Sequence, residues 1–275
     1  MAQYRLFDNI IEKDVASSFV VAAKELLKKL EINAPVLKNS KQDIASEGMA
    51  LNEDAFLYNC AYNLALGKKD DANIICVEDS SYTSLNIAKI ILVENSELRD
   101  AVSRELQKEK LDLCLDTKVL HINDVLKDVV GFDKLKKMIE RPFGKFNIAI
   151  FNGNKTQNLA TNDDIMRLVG ANIVYFDTQN DSDGYEILSA SEDLAEKLAG
   201  KIMLDAFDNA ADFVVTNDAR SFVMFEPRQK SLERCVGRDI GLSVFSTSQV
   251  VLMALGCDST SKLGLDLHKV PTTLI

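Results

Sequence analysis

The sequence predicts an α/β protein built from two duplicated halves, each with a mostly parallel sheet. Three observations carry this reading. Short β-rich runs alternate with helical patterns along the chain, and such alternation places helices on both faces of a parallel sheet. The order helix, acidic turn, strand, acidic loop, Ser-aromatic, helix occurs twice, as duplication requires. The chain has 275 residues, 47% hydrophobic and 27% charged, enough for one large domain or two ordinary ones.

The elements follow in order. Ser17 to Leu30 sets Val20, Ala23, Leu27 and Leu30 on one helical face. Asp54 to Leu66 is a second helix, and "NIICV" (73–77) is a strand leading to a helix near Tyr82 to Val93. "KVLHINDVLKDV" begins as a strand and becomes helical near Asn123. Pro142, Gly144 and Lys145 interrupt the pattern and mark the boundary between a half at 1–144 and a half at 145–275. "FNIAIFNGN" (146–154) is a strand ending in a turn, Asp163 to Val169 is helical, and "NIVYF" (172–176) is a strand. A long helix carries Leu194, Leu198, Ile202 and Ala206 in line, with Ser189 and Glu192 spaced as a capping box. Phe213 to Thr216 is a buried strand that ends at Asn217-Asp218.

Within the repeat, short polar motifs recur in register. Upstream of each long helix stands Ser-acidic-Gly, Ser46-Glu47-Gly48 and Ser182-Asp183-Gly184. Downstream of each strand stands acidic-x-x-Ser, Glu78 to Ser81 and Asp218 to Ser221; a slip of one residue would make Asp79 the partner of Asp218. The expectation is two Rossmann-like halves meeting near a pseudo-twofold axis.

Composition excludes several functions. The formal net charge is -10, which argues against a nucleic-acid binder, since phosphates need a basic face. No apolar run reaches the length of a membrane span, and the first residues lack a basic-then-apolar leader, so a cytoplasmic protein is expected. The cysteines are Cys60, Cys76, Cys114, Cys235 and Cys257, the nearest two sixteen residues apart, so there is no CxxC pair; free buried thiols are the expectation. His121 and His268 lack an HxH or HExxH partner, which argues against zinc, and His121 is expected to serve a loop or a backbone group. No dinucleotide or P-loop glycine motif and no G-x-S-x-G elbow occurs.

Several segments, taken in order, resemble the CCG-domain family, the cysteine-rich proteins of heterodisulfide reductase and their relatives in some succinate dehydrogenases and fumarate reductases. They are "YNLALG", "SYTSLNIAKIIL", "KVLHINDVL", "FNIAIFNGN", "LVGANIVYF", "LSVFSTSQVVLMALG" with Gln249, and "LGLDLHKV". The resemblance covers nearly the whole chain. It implies iron–sulfur clusters held in each half by a lone Cys, a Cys-Cys-Gly and a Cys-x-x-Cys. Here the positions matching the lone Cys read Ile10 (or Asn9) and Asn154. The Cys-Cys-Gly positions read Ser46-Glu47-Gly48 and Ser182-Asp183-Gly184, and the Cys-x-x-Cys positions read Glu78/Ser81 and Asp218/Ser221. Clusters are held chiefly by thiolate, so none is expected here.

Two readings follow. In the first, the chain is a non-redox partner or scaffold subunit of a reductase-type complex, not an enzyme. Its emptied sites are closed by hydrogen bonds, with Ser182 or Ser221 donating to Asp218 or to carbonyls and Phe222 and Phe225 in the core. In the second, Glu47, Glu78, Asp183 and Asp218 converge in a cleft between the halves and bind a small molecule or a hard cation. Asp183 and Asp218 would be the ligands, and any catalysis would be oxidoreductase-linked.

Overall fold

The structure, a computed structural model, describes residues 3–153 and 159–272, the side chains of Ser46 and residues 159–161 excepted. In the first half, β1 (Gln3–Phe7), α1 (Ser17–Lys29), α2 (Ala45–Leu51) and α3 (Glu53–Lys69) precede β2 (Ala72–Cys76). Then come α4 (Asp79–Glu94), α5 (Ser96–Lys108), β3 (Val119–His121) and α6 (Ile122–Asp124). A π-helical stretch, Val125–Gly131, and α7 (Phe132–Met138) close the half. The second half runs β4 (Asn147–Ile150), α8 (Leu159–Leu168), β5 (Asn172–Val174), α9 (Glu192–Asp208), β6 (Phe213–Val215) and α10 (Ala219–Phe225). It ends with α11 (Gln229–Val236), β7 (Ser243–Phe245), α12 (Thr247–Ala254) and α13 (Thr260–Leu263).

Both sheets are parallel. The first has the order β1-β2-β3, the second β5-β4-β6-β7. In register, Leu6 faces Ile75 and Ile75 faces Leu120; in the second sheet, Ala149 faces Val214 and Val214 faces Val244. Leu6 also makes a parallel bridge to Val36, on the side of β1 where β5 flanks β4. With that bridge counted, the two strand orders coincide, as the repeat in the sequence predicts. Central strands of such sheets are covered on both faces and read as unbroken apolar runs; Ile74, Ile75 and Cys76 are fully buried, as are Phe213, Val214 and Val215.

The halves embrace reciprocally. α1, which follows the first strand of one half, packs on α12, which follows the last strand of the other. α8, in the place of α1, packs on α6, in the place of α12. A contact of one surface with its own counterpart is what a twofold produces. The edge-to-face Phe19–Phe222 pair, 5.1 Å between centroids, belongs to this shared core.

Some local expectations need correction. The long helix starts after Ser191, whose side chain makes no cap bond; Ser189 lies in the preceding turn, because a 3-10 turn at Tyr185–Ile187 occupies the chain before it. The cysteines divide: Cys60 and Cys76 are buried, Cys114 and Cys257 partly so, and Cys235 is exposed. Cys235 lies on α11, whose buried side is held by Leu232 and Glu233 instead.

Candidate functional site: a polar junction between the halves

In each half the strand ends face the other half, and the helices that follow begin there. Each is capped by the residue just before it. Asp218 caps α10, its carboxylate accepting from the Arg220 and Ser221 N–H groups at 2.8 and 3.2 Å. Glu78 caps α4, accepting from Ser80 and Ser81 N–H at 2.8 and 2.6 Å. Acidic N-caps satisfy unpaired donors and oppose the positive end of the helix dipole. Glu78 is therefore the counterpart of Asp218, and Asp79 is the next residue along. Its N–H crosses the junction to the Asn217 carbonyl at 2.8 Å.

The second half is built around Arg220, which is 4% exposed. Its guanidinium grips both Asp218 oxygens, at 3.2 and 3.1 Å. It also reaches across the halves to Glu47 on α2. Tyr185 lies beneath it, 5.9 Å from ring centroid to guanidinium carbon. The Tyr185 hydroxyl donates at 2.5 Å to Glu12 of the first half; burial and this carboxylate raise its pKa. Ser221 Oγ donates at 2.5 Å to Asp183 Oδ2, while Asp183 Oδ1 accepts from Tyr185 N–H at 2.9 Å.

The first half has a different composition at the same place. Asp43 Oδ2 accepts from Ser80 Oγ at 2.8 Å, and its Oδ1 accepts from Ala45 N–H at 3.0 Å. Asp183 likewise takes a serine hydroxyl and the N–H two residues on, but its serine, Ser221, is three residues past the cap whereas Ser80 is two. Glu47 lies in the first turn of α2 and projects toward Arg220. Ser80 holds the chain position of Arg220, and among the described residues no arginine pairs with these two carboxylates. Ser81 Oγ donates to Glu78. Burial pushes the Glu78 carboxyl up to about 7, reinforced by the Asp43 charge and opposed by the Ser80 and Ser81 bonds. Cys60 and Cys76 lie beside this cluster, their thiol pKa values raised by burial and by Asp43 and Glu78 respectively.

Amides close the middle. Asn162 Oδ1 accepts from Asn123 of the first half at 2.5 Å and from Asn217 at 2.9 Å. Asn217 Oδ1 accepts from Thr247 N–H at 3.0 Å. His121 is fully buried. Its Nδ1 accepts from Asn123 N–H at 3.2 Å, which leaves the proton on Nε2, facing Asp79 at 3.4 Å. Burial lowers its pKa to about 3. It serves a backbone group, as its sequence setting suggests.

Other expected positions are placed as follows. Ile10 is fully buried among apolar residues, and Asn9 binds the Ser40 carbonyl through its amide at 2.9 Å. Asn154 and the Ser46 side chain lie outside the described residues. Ser182 is exposed and donates to Glu186 at 3.2 Å rather than to Asp218. Ser221 likewise gives its hydroxyl to Asp183, because Asp218 is committed to Arg220 and two N–H groups. Phe222 and Phe225 are buried. The four carboxylates do not line one cleft: Glu47 and Asp218 share Arg220, while Asp183 and Glu78 each accept a serine. Among the described residues, no group of three His, Cys, Asp or Glu side chains is placed to hold a metal ion. The space beside Asp183, Arg220 and Ser221 is about 10 Å³, room for about one water.

Arg220, Asp43, Tyr185 and Glu12 were not singled out by the sequence. Arg220 was the one with a signal: it is the lone cation in the buried run from Ala211 to Phe225.

This geometry defines a duplicated parallel α/β protein with a polar junction at its pseudo-twofold. Residues 185–269 match the family model of the HdrB-like C-terminal domain, which supports the resemblance to the CCG-domain protein of heterodisulfide reductase. The fold is similar to that of a hypothetical protein from Helicobacter pylori, with a TM-score of 0.87 and 23% sequence identity. The match covers 99% of this chain and 53% of that one, so this chain spans about half of its length. Among the described residues, no helix is long and apolar enough to cross a membrane.

Proposed function

We propose that this chain is an HdrB-like protein, related to heterodisulfide reductase, whose cluster positions have become structural. It acts as a non-redox partner or scaffold subunit of a reductase-type complex. The observation that carries this is Arg220, a buried guanidinium bound to Asp218 and Glu47 across the junction. Both carboxylates stand at positions where the resemblance implies cluster ligands.

The family's iron–sulfur cluster does not fit the residues present. Ile10 offers no donor atom, and the carboxylates at the remaining positions are engaged by arginine, serine or helix N–H groups. Carboxylate and hydroxyl oxygens are also harder ligands than iron–sulfur chemistry favours. The reading as a hard-metal or small-molecule site draws less support. Binding a cation at Asp218 would expel Arg220 into a space of about 10 Å³, and a buried charge without a partner is costly.

Association is the direct test. The native protein, isolated from its own cells at low salt, should co-elute with a reductase-type subunit identified by mass spectrometry. Elution alone across a range of salt would contradict the scaffold role.

A further inference from the structure

We propose that a second site, remote from the junction, binds a small amphipathic carboxylate with its chain inward and its head on Arg141. The site is a cavity of about 300 Å³ between the segment joining the halves and the C-terminal segment. That volume falls at the lower end of the range of small-molecule pockets, about 300–1,000 Å³. Its walls are Phe143, Phe146, Met253, Leu263 and Leu265, an apolar lining in which methionine adapts to the shape of a guest. None of these residues takes part in the polar junction.

The mouth is charged. Arg141 and Asp258 meet there at 3.3 Å, with side chains 58% and 76% exposed. A pair this exposed is weak, so a ligand carboxylate can take the guanidinium fork, which matches it in two-point geometry. The Arg141 backbone is fixed: the N–H groups of Glu140 and Arg141 both donate to the Ala254 carbonyl, at 2.9 and 3.0 Å. Glu140 pairs with Lys29 at 3.5 Å, which draws its charge toward α1.

Charge complementarity names the class of guest. From α7 to the pocket wall the sequence carries Lys134, Lys136, Lys137, Arg141 and Lys145 against Asp133 and Glu140, with Asp258 at the mouth, in a chain of net charge -10. A local basic segment on an acidic protein attracts anions. Apolar walls behind one cation select an anion with a hydrocarbon tail, of about six to eight carbons for a pocket of this size.

The test is calorimetric titration of the full chain with butanoate, hexanoate, octanoate and octanol. Affinity should rise about fourfold per added methylene. Arg141→Ala should weaken octanoate about fivefold and leave octanol unchanged. Thr260→Trp, at an exposed position on the pocket wall, should fill the mouth and abolish binding of both. Circular dichroism checks that each variant is folded. No saturable heat with octanoate, or octanoate binding that ignores both substitutions, would overturn the proposal.

Discussion

Arg220 holds together groups that are far apart in sequence. Buried ion pairs gain little over apolar packing, yet removing one partner leaves the others charged and desolvated. Arg220→Met should therefore destabilise the protein by about 3–5 kcal/mol, read from urea unfolding midpoints at constant slope. Arg220→Lys should recover only part of the loss, since a point charge cannot span both Asp218 oxygens and Glu47. A change within about 0.5 kcal/mol, the size typical of a surface position, would remove Arg220 from the centre of the junction. Glu78 makes a separate prediction. Its folded pKa of about 7 lies above the ordinary 4.5, with burial the main cause and Asp43 the second. The stability this gives is complete below pH 4.5 and is lost as pH rises toward 7. Glu78→Gln should flatten the stability profile across that window. His121 and His268, lowered by burial to about 3 and about 4, act the other way: their contribution is lost as pH falls below 6.5. An unchanged profile in Glu78→Gln would show that its carboxyl does not titrate there.

At the scale of the element, the turn before α9 depends on Gly184. Its φ is +84°, and a Cβ there would lie 2.8 Å from both the Cα and the carbonyl oxygen of Ala195. Gly184→Ala should cost about 1–3 kcal/mol for the overlap, added to about 1–2 kcal/mol for the left-handed backbone. Gly237 gives the control, with φ +72° and open space around its Cβ position; Gly237→Ala should cost only the backbone part. Equal losses in melting temperature would mean that the Ala195 contact is not decisive. The strands were legible in the sequence because both faces of β2 and β6 are covered, which leaves an apolar run. α5 was not, because only Val102 and Leu106 of its thirteen residues are buried, too few to mark a helical stripe. α2 was missed for a similar reason: it is short, and its one acidic side chain serves a partner 173 positions away. The capping roles of Glu78 and Asp218 could be read from local chemistry. What could not be read was which carboxylate meets which donor: Asp43 takes the Ser80 hydroxyl, while Glu47 reaches Arg220 of the other half.

At the scale of the molecule, two copies of one α/β plan close on each other, and their junction has diverged in chemistry. The second half neutralises its carboxylates with Arg220. The first places Ser80 there and leaves Asp43 and Glu78 to hydroxyl and N–H donors. Both solutions engage most of the buried carboxylate oxygens, although Glu47 Oε2, Asn123 Oδ1 and Thr247 Oγ1 are buried without a hydrogen-bond partner among the described residues. Neither places a cysteine at the loop positions themselves: Cys76 lies in β2 and Cys60 in α3, both beside the first half's cluster, with thiol pKa values raised by burial. The resemblance to a redox family and the absence of its ligand chemistry thus meet at one place. Anaerobic reconstitution with ferrous iron and sulfide, followed by desalting, absorbance spectroscopy and metal analysis, measures the consequence directly. The account predicts a colourless protein without bound iron or sulfide. A thiolate-to-iron charge-transfer band with stoichiometric iron and sulfide would contradict it.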